Sequence, residues 1–187
     1  MRFRTSNATG GDSSEVVWET YRAGFELFPS DNSVPPDWNS TELSTTPAGP
    51  QDGRVLPMFT KGGLGEEVNE AFGGPLVDQN RNYVRYEVRI NQIEYEQVRN
   101  NGWYDRDTVV ADILESKDQP NPIPQGIQFD ANALELKGAW RQLTDEDDHD
   151  RYYSVEALIA DGDGSYVPAT MGLVGLHIMQ KLSLIHI

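Results

Sequence analysis

Five ionisable residues are flanked by apolar or aromatic residues, and they are the side chains best placed to do chemistry. Each lies in the middle of a segment with strand-like alternation; they are Glu87, Glu135, Lys137, Glu156 and His177. A buried charge must be paired or hydrogen-bonded, because an isolated one costs several kcal/mol. The pattern therefore has two interpretations. One is an ion-pair network or a solvated sheet face, and the other is a polar pocket that holds a ligand.

His177 is the strongest single candidate among them, because it is the only ionisable group between Leu173 and Met179. A neutral imidazole binds a metal or transfers a proton near neutral pH. No second histidine lies at ligand spacing, so the sequence predicts no metal site. A hydrolase-like pocket that uses Glu135 or Glu156 with His177 is a weaker alternative, since no nucleophile with a positioned base is evident.

A β-sheet must position these side chains. Alternation with a period of two predicts strands, and short acidic or glycine-containing connections predict antiparallel neighbours; the strands cover residues 82–91, 133–142, 151–160 and 173–181. Apolar residues at helical spacing predict an N-terminal helix over residues 14–28 and short helices over 92–101 and around 107–114. Residues 29–80 read as a long wrapping loop. The predicted fold is therefore α+β, with a mainly antiparallel meander.

The length of 187 residues favours one domain, which we place at residues 14–181 after a disordered lead at 1–13. The last six residues, Leu182-Ser-Leu-Ile-His-Ile187, resemble the translation of an adapter ligated to DNA fragments during library preparation. Such segments are excluded from fold reasoning. We therefore expect residues 182–187 to be non-native, and the domain to be incomplete at its C-terminus.

Charge and composition limit the classes of partner and cofactor that this chain is expected to have. The net charge of −15, from 30 acidic and 15 basic residues, repels phosphate and anionic lipid, so nucleic acid is not an expected partner. No apolar run reaches the length of about 20 residues that a membrane-spanning helix needs. The chain has no cysteine, which excludes disulfides and any cysteine-attached cofactor within it. The N-terminus has no hydrophobic region typical of a signal peptide.

Three segments resemble a little-characterised family of bacterial proteins described as cytochrome-c-like or hypothetical exported proteins. They are Tyr83–Asn91, Leu134–Trp140 and Met171–Ile178. The resemblance implies a periplasmic or otherwise extracytoplasmic protein with a haem-associated redox role and a redox partner protein. It also implies haem c, attached through a downstream Cys-x-x-Cys-His element that this chain does not contain. Lys137 and His177 would then lie near the haem.

A second function class remains open from the residues alone. The rival to the haem-associated function is a non-catalytic binding module that presents a β-sheet face to a carbohydrate or to a protein partner. Tryptophan rings stack on sugars, and four are present, at positions 18, 38, 103 and 140. Their wide spacing also fits a role in the core. The sequence does not define the substrate or the oligomeric state.

Overall fold

The computed structural model describes residues 16–29, 31–40, 54–56, 76–117, 128–161 and 165–182. Within these ranges the strands are β1 (Arg22–Ala23), β2 (Val55–Leu56), β3 (Arg85–Ile90), β4 (Leu134–Gln142), β5 (Ser154–Ala160) and β6 (Tyr166–Gln180). The helices are α1 (Gly24–Leu27), α2 (Gln92–Asn100) and α3 (Arg106–Lys117), with 3₁₀ turns at Val17–Thr20 and His149–Arg151. Among these residues, none of the helices has the length and apolar character that crossing a membrane requires.

The strands form one sheet in the order β1-β3-β4-β6-β5-β2. β1 pairs with β3, and β5 with β6, in antiparallel fashion, whereas β2 is parallel to β5. The predicted α+β class with a mainly antiparallel sheet is confirmed. The order differs from a simple meander, because β6 lies between β4 and β5. With 15 residues, β6 is long enough to pair with both neighbours.

The predicted N-terminal helix is replaced, in its described part, by three short elements. A 3₁₀ turn is followed by β1, whose residues Arg22 and Ala23 pair with Ile90 and Arg89 of β3. Only then does α1 begin, and its first turn is capped by Glu26, whose Oε2 accepts the Ala23 N–H at 2.7 Å. Backbone pairing to β3 therefore overrides the helical spacing of the apolar residues.

Most of the remaining predicted elements agree with the structure, but β6 begins at Tyr166 and not at the predicted residue 173. Both short helices form, as α2 and α3, and Asn91 caps α2 by accepting the Glu94 N–H at 3.1 Å. The predicted wrapping loop contains β2, so it is not irregular throughout. The predicted lead at 1–13 and residues 183–187 of the predicted adapter tail lie outside the described residues, and the single-domain assignment of 14–181 stays a prediction.

The chain divides into two compact units. The first comprises Met1–Glu19, Ala48–Val88 and Leu136–His177. Its core contains Trp140, Met171 and Leu56, which have no exposed surface, together with apolar residues of β5 and β6. Burial of large apolar side chains is the main source of stability in such a unit.

The second unit comprises Thr20–Pro47, Arg89–Glu135 and Ile178–Ile187. Its irregular segment at 35–38 has no strand partner, so side chains must satisfy its carbonyl groups. Arg99 Nε donates to Pro35 O at 2.8 Å, the Tyr95 hydroxyl donates to Pro36 O at 2.9 Å, and Arg22 Nη2 donates to Trp38 O at 2.8 Å. These three donors fix a segment in which two prolines exclude regular structure.

Candidate functional site

Lys137 and His177 share one face of the first unit's sheet. A Cβ built on Gly175 would lie 3.4 Å from the Ala139 Cβ, so these two positions face each other across β4 and β6. Side chains alternate along a strand, which places Lys137 and His177 on that same face. His177 is exposed, whereas the Lys137 ammonium lies 5.4 Å from the centroid of the Tyr86 ring.

Two of the predicted glutamates do not join that pair. Glu87 follows Tyr86 in β3 and points to the opposite face, where its Oε2 accepts the Trp140 indole N–H at 3.2 Å. Glu156 is exposed and accepts the Thr170 hydroxyl at 2.7 Å. Thr170 precedes His177 by seven residues along β6, or about 23 Å at the rise of an extended strand. The expected convergence of all these groups on one face is therefore not what the structure has.

The last of the five predicted residues, Glu135, belongs to the second unit, where its charge acts on Glu94 of α2. Glu94 is buried, and burial raises the pKa of its carboxyl to about 7, with the negative charge of Glu135 adding to the rise. A carboxyl with such a pKa exchanges its proton near neutral pH. Sequence reasoning did not find Glu94, because its position on a short helix gives no sign of burial.

Replacing Glu94 with Gln is expected to stabilise the protein at pH 8 but not at pH 4. The unfolded carboxyl loses its proton near pH 4.5, whereas the folded one keeps it until about pH 7. Folding stability therefore falls as pH rises through this window. The full pKa change corresponds to about 3 kcal/mol, and solvent screening around the carboxyl reduces the expected fall to about 2 kcal/mol. Urea unfolding at both pH values measures the difference. Glu96→Gln, exposed on the same helix, is the control, and an equal response of both variants would contradict the prediction.

A buried ion triad lies on the Glu87 face of the first unit. Arg54 Nε lies 2.9 Å from Glu87 Oε1, and Arg54 Nη2 lies 2.7 Å from Glu19 Oε2. Burial lowers the pKa of Arg54, but the charges of Glu87 and Glu19 outweigh that effect and raise it. Glu87 is therefore satisfied within the core, as the ion-pair interpretation of the sequence predicts.

Aromatic rings enclose this triad. The Arg54 guanidinium carbon lies 5.1 Å from the Trp140 ring centroid and 5.6 Å from that of Trp18, and the Tyr153 hydroxyl donates to Glu19 Oε1 at 3.0 Å. Trp140 is fully buried and Trp18 packs against the core. These two tryptophans serve packing and cation–π contact with Arg54.

The first unit also has an open polar cavity of about 290 Å³. It is lined by Arg81, Asn82, Tyr83, Arg85, Gln142, Ala160 and Asp161. None of these residues was singled out from the sequence as a binding residue. The available signal was the polar turn before β3, followed by alternation that puts Tyr83 and Arg85 on one face.

A tight turn presents three of the lining residues. Asp78 Oδ1 accepts the N–H groups of Asn80 and Asn82 at 2.9 and 2.8 Å, and Asp78 N–H donates to Asn82 O at 2.9 Å. An aspartate that accepts backbone N–H groups further along the chain stabilises such turns. The turn holds Arg81 at a φ of 66°, and Val77 pairs with Tyr83 directly after it.

The other side of the cavity comes from the ends of β4 and β5. Arg85 is buried and its Nη2 donates to Ala160 O at 2.9 Å, which fixes the guanidinium against the end of β5. Burial lowers the pKa of Arg85, while the charge of Asp161 opposes that shift. The Tyr83 side chain is 37% exposed at the cavity. The cavity thus combines an aromatic ring, two amides and charges of both signs.

Such a cavity can bind a small molecule with several hydroxyl groups. A hydroxyl both donates and accepts, and the amides of Asn82 and Gln142 offer both functions. We call this cavity the Tyr83 pocket.

No family model matches this chain, and neither a curated protein nor a solved structure shows significant similarity to it.

Proposed function

We propose that this chain is a non-catalytic β-sheet binding module that takes a small carbohydrate in the Tyr83 pocket. The observation that carries the proposal is the cavity itself, in which Tyr83 lies beside Asn82 and Gln142. At about 290 Å³ it is near the lower end of the range for ligand pockets, which suits a single sugar ring.

The chemistry of the lining favours a sugar over an apolar ligand. An aromatic ring packs against the C–H face of a sugar ring, while planar amide and carboxylate groups bind its hydroxyls. The Asp78 turn holds Asn82 and Tyr83 before a ligand arrives, so little conformational entropy is lost on binding.

An amide-resolved NMR titration with single sugars tests the proposal. Neutral hexoses, amino sugars and uronic acids should shift the amide signals of residues 81–83, 142, 160 and 161, and Tyr83→Ala should weaken binding about tenfold. Tyr104→Ala removes a tyrosine outside the pocket and should leave affinity unchanged. If no sugar in the panel shifts the pocket signals, the proposal fails.

A second candidate function is a haem-associated role in an exported protein with a redox partner, as the family resemblance implies. It is favoured by one observation, the exposed imidazole of His177 on the same face as Lys137. An imidazole is a common axial ligand of haem iron, and an ammonium suits a haem propionate, so these residues fit the group. Haem would supply the electron-transfer chemistry.

Haemin titration tests this second candidate on the chain as it stands. His177→Ala should abolish the shift of the Soret band, whereas His149→Ala, which removes another exposed histidine, should not. Equal spectra for both variants would remove His177 from the proposal. A longer clone that lacks Cys-x-x-Cys-His and stays colourless would exclude covalent haem c.

A further inference from the structure

We infer that the carbohydrate of the Tyr83 pocket is a sugar acid, and that Arg81 binds its carboxylate. This inference rests on the proposed carbohydrate function and names the class of ligand. It is argued from two observations other than the volume of the pocket, namely the charge of its lining and the backbone conformation of Arg81.

The charge of the pocket is opposite to that of the chain. The chain has twice as many acidic as basic residues, 30 against 15, yet the lining contains Arg81 and Arg85 against Asp161. The net charge of −15 repels anions in general, so a cationic pocket selects only an anion that fits inside it. A pocket that binds a neutral sugar would not need a positive charge.

The two arginines have different roles. Arg85 is buried and donates to Ala160 O, and the negative charge of Asp161 acts on it, so its guanidinium is held against the end of β5. Arg81 is exposed at the tip of the turn and lines the cavity. Its guanidinium presents a planar pair of donors, which matches the two oxygens of a carboxylate.

The backbone at Arg81 supports a specific need for this side chain. Its φ of 66° lies in the left-handed region, where glycine or asparagine is favoured, and asparagine flanks it on both sides. A long charged residue at such a position carries a conformational cost, and such costs cluster at binding sites. We therefore assign the Arg81 side chain a binding role that asparagine at the same position would not fill.

Titration with a matched set of ligands tests the inference: glucose, glucuronate and acetate at low salt. Glucuronate should bind at least tenfold more tightly than glucose, and 0.3 M NaCl should reduce that preference severalfold because salt screens the ion pair. Arg81→Gln should remove the preference, so that glucuronate and glucose bind this variant with similar affinity. Arg151→Gln, at an exposed arginine outside the pocket, should behave like the unchanged protein.

Arg81→Gly separates backbone strain from ligand binding. Glycine relieves the left-handed conformation, so this variant should be at least as stable as the parent and should still lose the preference for glucuronate. A retained preference would overturn the inference. Glucose binding as tightly as glucuronate would overturn it while leaving the carbohydrate module intact, and acetate binding as tightly as glucuronate would overturn the sugar part. Pocket signals that no sugar shifts would instead refute the carbohydrate function itself.

Discussion

Replacing Arg54 with Met is expected to destabilise the protein by about 3–5 kcal/mol. The Arg54 side chain is 8% exposed and forms ion pairs with Glu19 and Glu87, whose side chains are 12% and 5% exposed. Removing Arg54 takes an ion-pair partner from each of two buried carboxylates, and also removes the contacts with the Trp18 and Trp140 rings. Urea unfolding, followed by circular dichroism, measures the loss.

Two further variants test whether uncompensated charge is the cause. Arg151→Met removes an exposed arginine and should cost less than about 0.5 kcal/mol. Combining Arg54→Met with Glu19→Gln and Glu87→Gln should recover much of the loss, because buried ionic groups replaced together cost little. A triple variant as unstable as Arg54→Met alone would show that packing, and not charge, explains the effect.

The strand pattern of the sequence was sufficient to predict most of the sheet, but not which face of β3 is buried. The alternation correctly predicted that Tyr86 lies on the opposite face of β3 from Arg85 and Glu87. The polar face is nevertheless buried, because Arg54 and Ala160 O supply partners from 33 and 75 residues away. A pattern within one strand contains no information on partners so distant in sequence.

The order of the strands in the sheet could not be predicted from the sequence, for a different reason. The connections from β4 to β5 and from β5 to β6 are both short, so each favours adjacent antiparallel strands. In the sheet β5 is adjacent to β6 but not to β4. The reason is that β6 begins at Tyr166, well before the start predicted at 173. Pro168 and Gly172 lie in this early part and conceal its strand character, since both are unfavourable in strands.

The candidate sites differ in how far the sequence could define them. Lys137 and His177 stood out because each interrupts an apolar strand, and alternation places both on one face. The Tyr83 pocket did not stand out, because its residues come from a turn and from the ends of β4 and β5. Arginine and asparagine are ordinary turn residues, and only the fold brings them beside Gln142 and Asp161.

Truncating Trp140 to Ala is expected to cost about 3–5 kcal/mol of folding free energy, comparable with the loss of Arg54. Trp140 has no exposed surface and packs with Leu56, Met171 and the apolar residues of β5. Its removal leaves a cavity that the surrounding strands cannot close, and deprives Arg54 of a cation–π contact. Thermal and urea unfolding both measure the change.

Trp140→Phe distinguishes packing from the indole hydrogen bond. Phenylalanine fills most of the volume but cannot donate to Glu87 Oε2, so a smaller loss of about 1–2 kcal/mol is expected. Trp103→Phe is the matched control, because its indole N–H donates to Asp112 Oδ2 at 2.8 Å in an exposed position. That control should lose less than about 1 kcal/mol, since water replaces an exposed donor. Equal losses in the two phenylalanine variants would mean that burial of the Trp140–Glu87 hydrogen bond adds nothing to stability.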